Sequence, residues 1–191
     1  LKDYGVDLKL AQIAYAETAK VNEKIVIKNM GNILNSSAPE FAPAISNDGK
    51  YLLFTSRRAD TKGGGIDHYF DHNYFSDIYL SKWNANTMTW SEPSNLLGKM
   101  NTEFHDGNLS FTADNSILIY RNIYNVTRSG DIYQSSYSGD GNWSTPKPIL
   151  HRDKTISHKI NSSYFESSAS MTEDEKYLSL IHISEPTRQS S

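Results

Sequence analysis

The chain has 191 residues, 37% of them apolar and 12% aromatic, with a formal net charge of −3 and no cysteine. Disulfides and thiolate metal sites are excluded, no apolar run is long enough for a membrane span, and a nucleic-acid partner lacks the basic stripe it needs. Short runs rich in Tyr, Trp, Ile and Thr, punctuated by Gly, Asn, Asp and Ser, predict an all-β chain.

The chain begins with Leu1 and carries no signal-like segment, a start that reads as a truncation. Residues 1–22 predict a helix, with Val6, Leu8, Leu10, Ile13 and Ala14 as its apolar set and alanine recurring from 11 to 19. The Leu8/Ala11/Tyr15 face fits either the end of a helical repeat or a lone lead-in helix. Ile25-Val26-Ile27 reads as a strand leading onward, with Gly31 as the break. Residues 1–30 therefore stand apart from the rest of the chain.

From residue 31 the sequence repeats itself. Glu40 to Phe54, Asp106 to Tyr120 and Glu166 to Leu178 align, each with an acid eight positions before an aspartate: Asp48, Asp114 and Asp174. Ser46, Thr112 and Thr172 sit two before those aspartates. The expected local structure is a β-hairpin whose turn residue takes positive φ, easily for Gly49, acceptably for Asn115 and poorly for Glu175. A second motif follows the first two hairpins, Ser76-Asp77-Ile78-Tyr79-Leu80-Ser81 and Gly130-Asp131-Ile132-Tyr133-Gln134-Ser135, and its alternation suits a half-buried strand. A third is Trp90-Ser91-Glu92-Pro93 and Trp143-Ser144-Thr145-Pro146, expected to end a fourth strand at its proline. Asn35-Ser36-Ser37, Asn101-Thr102-Glu103 and Asn161-Ser162-Ser163 open the copies.

Four antiparallel strands per unit, with Asp48, Asp114 and Asp174 spaced by 66 and 60 residues, predict a partial β-propeller of about three four-stranded blades with a short N-terminal helix. The blades fall at about 31–98, 99–150 and 151–177, the last one partial. A β-sandwich also uses short strands, but has no reason to repeat three motifs in one order. The closing stretch, 178–191, resembles translated sequencing adapter and is expected to be a non-native tail outside the fold.

The order carried by Asn35, Glu40, Ser46, Asp48, Gly49, Lys50, Leu52, Phe54, Ser56, Arg58, Asp77, Ile78, Tyr79, Trp90, Ser91 and Pro93 resembles the WD-like, TolB-type propeller repeats of bacterial OmpA-family envelope proteins of the Bacteroidetes type. The resemblance implies a periplasmic or outer-membrane-associated protein. It implies protein partners in the cell envelope, and peptidoglycan contact only through domains that are not in this chain.

Several constellations invite chemistry. The loop Gly63–Asp77 holds His68, Asp71 and His72, four-apart histidines that could ligate a metal, but the three glycines remove the helix that would give the spacing its meaning. Glu40, Asp106 and Glu166 could line a channel and hold a cation, or accept hydrogen bonds at the strand entries. Asp48, Asp114 and Asp174 suit Asx-type turns. Arg57, Arg58 and Arg121 could form a basic rim, or pair with acids of their own blade. His105-Asp106 suggests a general base, with no nucleophile elbow or cysteine to serve. The hairpin is similar to the aspartate box of sialidase propellers, with different glycine spacing. No catalytic, cofactor-binding or metal-binding residue, no nucleic-acid partner and no cofactor is expected. The expected function is non-enzymatic binding or scaffolding within a larger envelope protein. The alternatives are a serine-peptidase or glycosidase propeller and a TolB-like translocation module.

Overall fold

The computed structural model describes residues 4–18, 26, 28–68, 71–122, 130–149, 160–162 and 165–183. The chain divides into two units, Leu1–Met30 and Gly31–Ser191. In the first, helix α1 (Tyr4–Thr18) ends with the Thr18 hydroxyl bonded back to the carbonyls of Ala14 and Tyr15, both at 3.1 Å. Its Leu10, Ile13 and Tyr15 are exposed. Of the lead-in strand expected over 25–27, only Val26 is described, and it is exposed. Ile25 and Ile27 lie outside the described residues. Among the described residues no helix is long and apolar enough to cross a membrane.

The second unit is mostly β and antiparallel. Strands β1 (Glu40–Ile45), β2 (Tyr51–Ser56), β3 (Asp77–Asn84) and β4 (Thr89–Trp90) form a sheet in chain order. β5 (His105–Phe111), β6 (Ile117–Asn122) and β7 (Gly130–Ser135) form a second, closed at its edge by β10 (Lys147–Pro148). β8 (Tyr137–Gly139) and β9 (Asn142–Trp143) extend it as a separate ribbon. β11 (Phe165–Met171) and β12 (Leu178–Ile183) form a hairpin.

The three hairpin turns are one device. Asp48 Oδ1 accepts from the Ser46 hydroxyl (2.7 Å) and the Lys50 amide (3.1 Å). Asp114 does the same with Thr112 (2.6 Å) and the Ser116 amide (2.9 Å), and Asp174 with Thr172 (2.6 Å) and the Lys176 amide (3.1 Å). The residue after each aspartate has positive φ: 70° at Gly49, 61° at Asn115 and 54° at Glu175. Each first strand also carries a register break, at Phe41/Ala44, Asn108/Ser110 and Glu166/Ser168.

β4 ends at Trp90 and β9 at Trp143, as the Trp-Ser-x-Pro motif predicts, and pairing is taken up again beyond the proline, with Ser94 bridging Leu80 in the first sheet and Lys147 pairing Gln134 in the second. Serine covers the gap: Ser81 and Ser135 donate to the carbonyls of Ser91 and Ser144, whose hydroxyls accept the amides of Lys82 and Ser136, each at 3.0 Å. The proline has no amide to offer at this point, and side-chain hydroxyls take over the ladder. Past Tyr177 the chain continues as β12. Leu178–Ile183 pair with β11 from Met171↔Leu178 to Phe165↔Ile183. The turn delivers the chain antiparallel to β11, and Leu178-Ser-Leu180 alternates as that position requires, so a stretch excluded by its resemblance still satisfies the strand pattern.

The sheets stack in one sense. β5 lies against β1, β2 and β3, while β11 lies against β5, β6 and β7. The front of the first sheet, through Leu53, Ile78 and Leu80, meets Ile117 and Ile119 on the back of the second, around Met100. The front of the second, through Leu118 and Ile132, meets Ala169, with Leu178 and Leu180 packed alongside. Such side chains contribute about 1.5–3 kcal/mol each when fully buried. On the back of the first sheet, Leu52, Phe54 and Tyr79 are covered by Leu34, with Trp90 against them.

Candidate functional site

The polar residues singled out in the sequence converge on the seams between stacked sheets. Asn101 precedes β5, and its side-chain amide bonds both backbone groups of Ile78 in the neighbouring sheet, accepting at 2.8 Å and donating at 2.9 Å. Asn161 repeats this on Ile132, at 2.8 Å both ways. An asparagine amide carries the donor and acceptor of a peptide group, so it stands in for a strand residue where the fourth strand has peeled away. Asn35 opens the first copy, and its amide donates to the Gly31 carbonyl at 3.2 Å.

The three aligned acids sit behind these asparagines. Glu40 Oε1 accepts from the Ser36 amide (3.2 Å) and hydroxyl (2.5 Å), and Asp106 Oδ2 from the Thr102 amide (2.5 Å) and hydroxyl (2.6 Å). Glu166 accepts from the Ser162 amide at 3.2 Å and from its hydroxyl. Two arginines complete the arrangement. Arg58 reaches Glu40 (3.2 Å) and the Leu34 carbonyl (2.7 Å), and Arg121 reaches Asp106 (2.6 Å) and the Met100 carbonyl (2.6 Å). Their guanidinium carbons stand 5.0 Å and 5.1 Å from the ring centres of Tyr79 and Tyr133. The acids therefore bind the entry loops of their own strands, and the arginines pair with them rather than forming a rim.

Burial separates the carboxyls. Burial pushes Asp106 upward against the pull of Arg121 and Thr102. For Glu40, burial is the largest single influence and pushes upward, but the Ser36 hydrogen bonds and the Arg58 hydrogen bond and charge together outweigh it and hold the carboxyl below the usual range. Burial pushes Asp77 up to about 6, although its Oδ2 accepts from the Lys62 amide at 2.6 Å and from Asn95 at 3.0 Å. The other oxygen, Oδ1, is buried and meets no donor.

The structure also assembles a set that the sequence did not reveal. Asp67 Oδ2 lies 3.1 Å from His105 Nε2, and His105 Nδ1 lies 3.0 Å from the Ser76 hydroxyl and 3.1 Å from the Ser76 amide. These are the distances of a Ser-His-Asp relay, with His105 turned toward Asp67 rather than its sequence neighbour Asp106. The backbone amide can only donate, so Nδ1 is an acceptor and the ring proton is on Nε2, facing Asp67. One nitrogen lone pair is thus shared by an amide and a hydroxyl, and Ser76 is buried. The Ser76 carbonyl meanwhile accepts the Asp106 amide at 2.8 Å. This chemistry pins β3 to β5. Residues 67, 76 and 105 lie in different parts of the repeat, so no spacing rule could have joined them.

The histidine loop is likewise engaged. Arg57 grips Asp71 with two bonds, 2.5 Å and 2.8 Å, and holds its carboxyl far below the usual range. His68 and His72 meet edge to face at 6.1 Å between ring centres. Among the described residues no three His, Cys, Asp or Glu side chains are grouped to hold a metal. A cavity of about 440 Å³ lies between the two Trp-Ser-x-Pro segments, walled by Ser91, Glu92, Trp143 and Ser144 and floored by Leu97 and Met100. Motif spacing did not indicate this groove, because it exists only once two sheets stand side by side. No family model, curated protein or solved structure matches this chain.

Proposed function

We propose that residues 31–177 are blades of a β-propeller that serves a non-enzymatic binding or scaffolding role in a larger bacterial cell-envelope protein. The parent is of the OmpA-family, peptidoglycan-associated kind, in the periplasm or at the outer membrane, with protein partners. The observation that carries the blade reading is the duplicated asparagine clasp, Asn101 on Ile78 and Asn161 on Ile132, which joins each sheet to the next by one rule. Repeat stacks present rigid surfaces between and at the ends of their units, and the groove beside Trp143 is such a surface. The Ser76-His105-Asp67 set supports a scaffold too, because it spends its bonds on joining two strands.

Reading the gene outward on both sides tests the assignment. Further repeats and a downstream OmpA-like domain are expected, whereas a hydrolase domain with a nucleophile elbow would overturn it. A fluorophosphonate probe should leave Ser76 unlabelled, and labelling lost in His105→Ala would make the chain an enzyme.

A further inference from the structure

Lys62, Lys99 and Arg121 line a cavity of about 460 Å³ that adjoins the groove beside Trp143, with Lys99 and Thr145 common to both. Arg121 is the fixed member. Its side chain is 8% exposed, its Nε bonds Asp106 at 2.6 Å, and its Nη2 bonds the carbonyls of Met100 (2.6 Å) and Lys99 (3.2 Å). Nη1 has no partner among the described residues, which leaves one donor end of an all but buried guanidinium at the cavity wall. Lys62 ties the loop down, its Nζ donating to the carbonyls of Gly98 and Asn101, both at 2.7 Å, with a third hydrogen to spare. Gly63 packs so closely on Glu103 that a Cβ there would come within 2.5 Å of the Glu103 carbonyl oxygen, so the loop is held from two sides. Lys99 and Glu103 are exposed, and Phe104 supplies an aromatic wall.

We propose that this cavity takes the carboxyl terminus of an extended peptide whose preceding residues lie in the groove. The proposal rests on the binding-propeller reading and names the chemistry of the partner. A carboxylate is the anion that fits. The charge of Arg121 is already matched by Asp106, and Glu103 stands in the wall against the two lysines. The surplus is one positive charge, which suits a carboxylate rather than a phosphate dianion. Phe104 beside the cations suits an apolar last side chain. From Lys99 and Thr145 the groove continues over Leu97 and Met100, apolar ground for the body of a peptide, with Trp143 as its side wall. Donors held in place before the ligand arrives capture a chain-end carboxylate at little ordering cost.

Nuclear magnetic resonance titration of the nitrogen-labelled chain with N-acetyl-Ala-Ala-Leu, with its carboxamide and with inorganic phosphate tests this. The free acid should shift the amides of Lys99–Phe104 and the Trp143 indole, and the carboxamide should bind about tenfold more weakly. Lys99→Ala should weaken the free acid by about threefold, and Glu103→Gln should tighten it by about twofold, a gain that a merely structural loop would not produce. Both side chains are exposed, so neither change should move the melting temperature. Equal binding of acid and carboxamide, shifts from phosphate alone, or no shift at all would overturn the proposal. The blade reading survives each of these results, because it stands or falls on the reading frame on either side of this chain.

Discussion

The first and second sheets carry the same acid–arginine pair at different depths. Glu40 and Arg58 keep 16% and 18% of their side-chain surface, while Asp106 and Arg121 keep 0% and 8%. The residues serve equivalent loops and touch equivalent tyrosines, so the chemistry is constant and the environment is not. Asp106 and Arg121 lie in a seam with a sheet on either side, whereas among the described residues no sheet lies behind Glu40. In the open setting the carboxyl falls below its usual range, and in the closed one burial drives it up. A repeated motif therefore specifies which groups meet, and the neighbour sheet sets how much the meeting is worth.

Breaking the pairs one at a time should expose this contrast most strongly. Asp106→Ala leaves Arg121 buried beside no carboxylate and should lower unfolding free energy by about 3–5 kcal/mol in urea titrations. Glu40→Ala removes the more exposed of the two pairs and should lower it by about 1 kcal/mol. Equal losses would mean that depth does not matter here.

The clasp ranks next. Asn101→Ala strands both backbone groups of Ile78 and should cost about 2–3 kcal/mol, while Asn101→Asp, which keeps the acceptor but loses the donor, should fall between it and the parent.

The seam should also show in pH dependence. Asp77 titrates near 6 when folded and near 3.8 in its ordinary state, so the folded chain binds the proton more tightly. Its contribution to stability is fully present below the lower value and lost as pH rises through about 6. Asp77→Asn should flatten thermal stability between those limits, and an unchanged slope would place the titration elsewhere.

The smallest effect belongs to the weakest turn. Glu175 holds a φ of 54° where the first copy has glycine, so Glu175→Gly should stabilise the third hairpin by about 0.5 kcal/mol. Amide exchange confined to Thr172–Tyr177 is the readout.

Much of this was legible because it is local. Asp48, Asp114 and Asp174 bond groups within two residues of themselves, so a hairpin could be read from a short window and its weakest copy picked out at Glu175. The acids at Glu40, Asp106 and Glu166 likewise bond a hydroxyl four residues earlier. How pairing passes the proline was not legible, because it depends on the hydroxyls of Ser91 and Ser144 reaching across to another strand.

The sequence by itself determined the units: their turns, strand order, entry acids and repeat, all set by interactions spanning a few residues. Only the tertiary structure decided what depends on stacking. It turned His105 toward Asp67 and Ser76, buried Asp106 deeper than Glu40, and opened a groove beside Trp143, because these depend on which sheet faces which across tens of residues of chain.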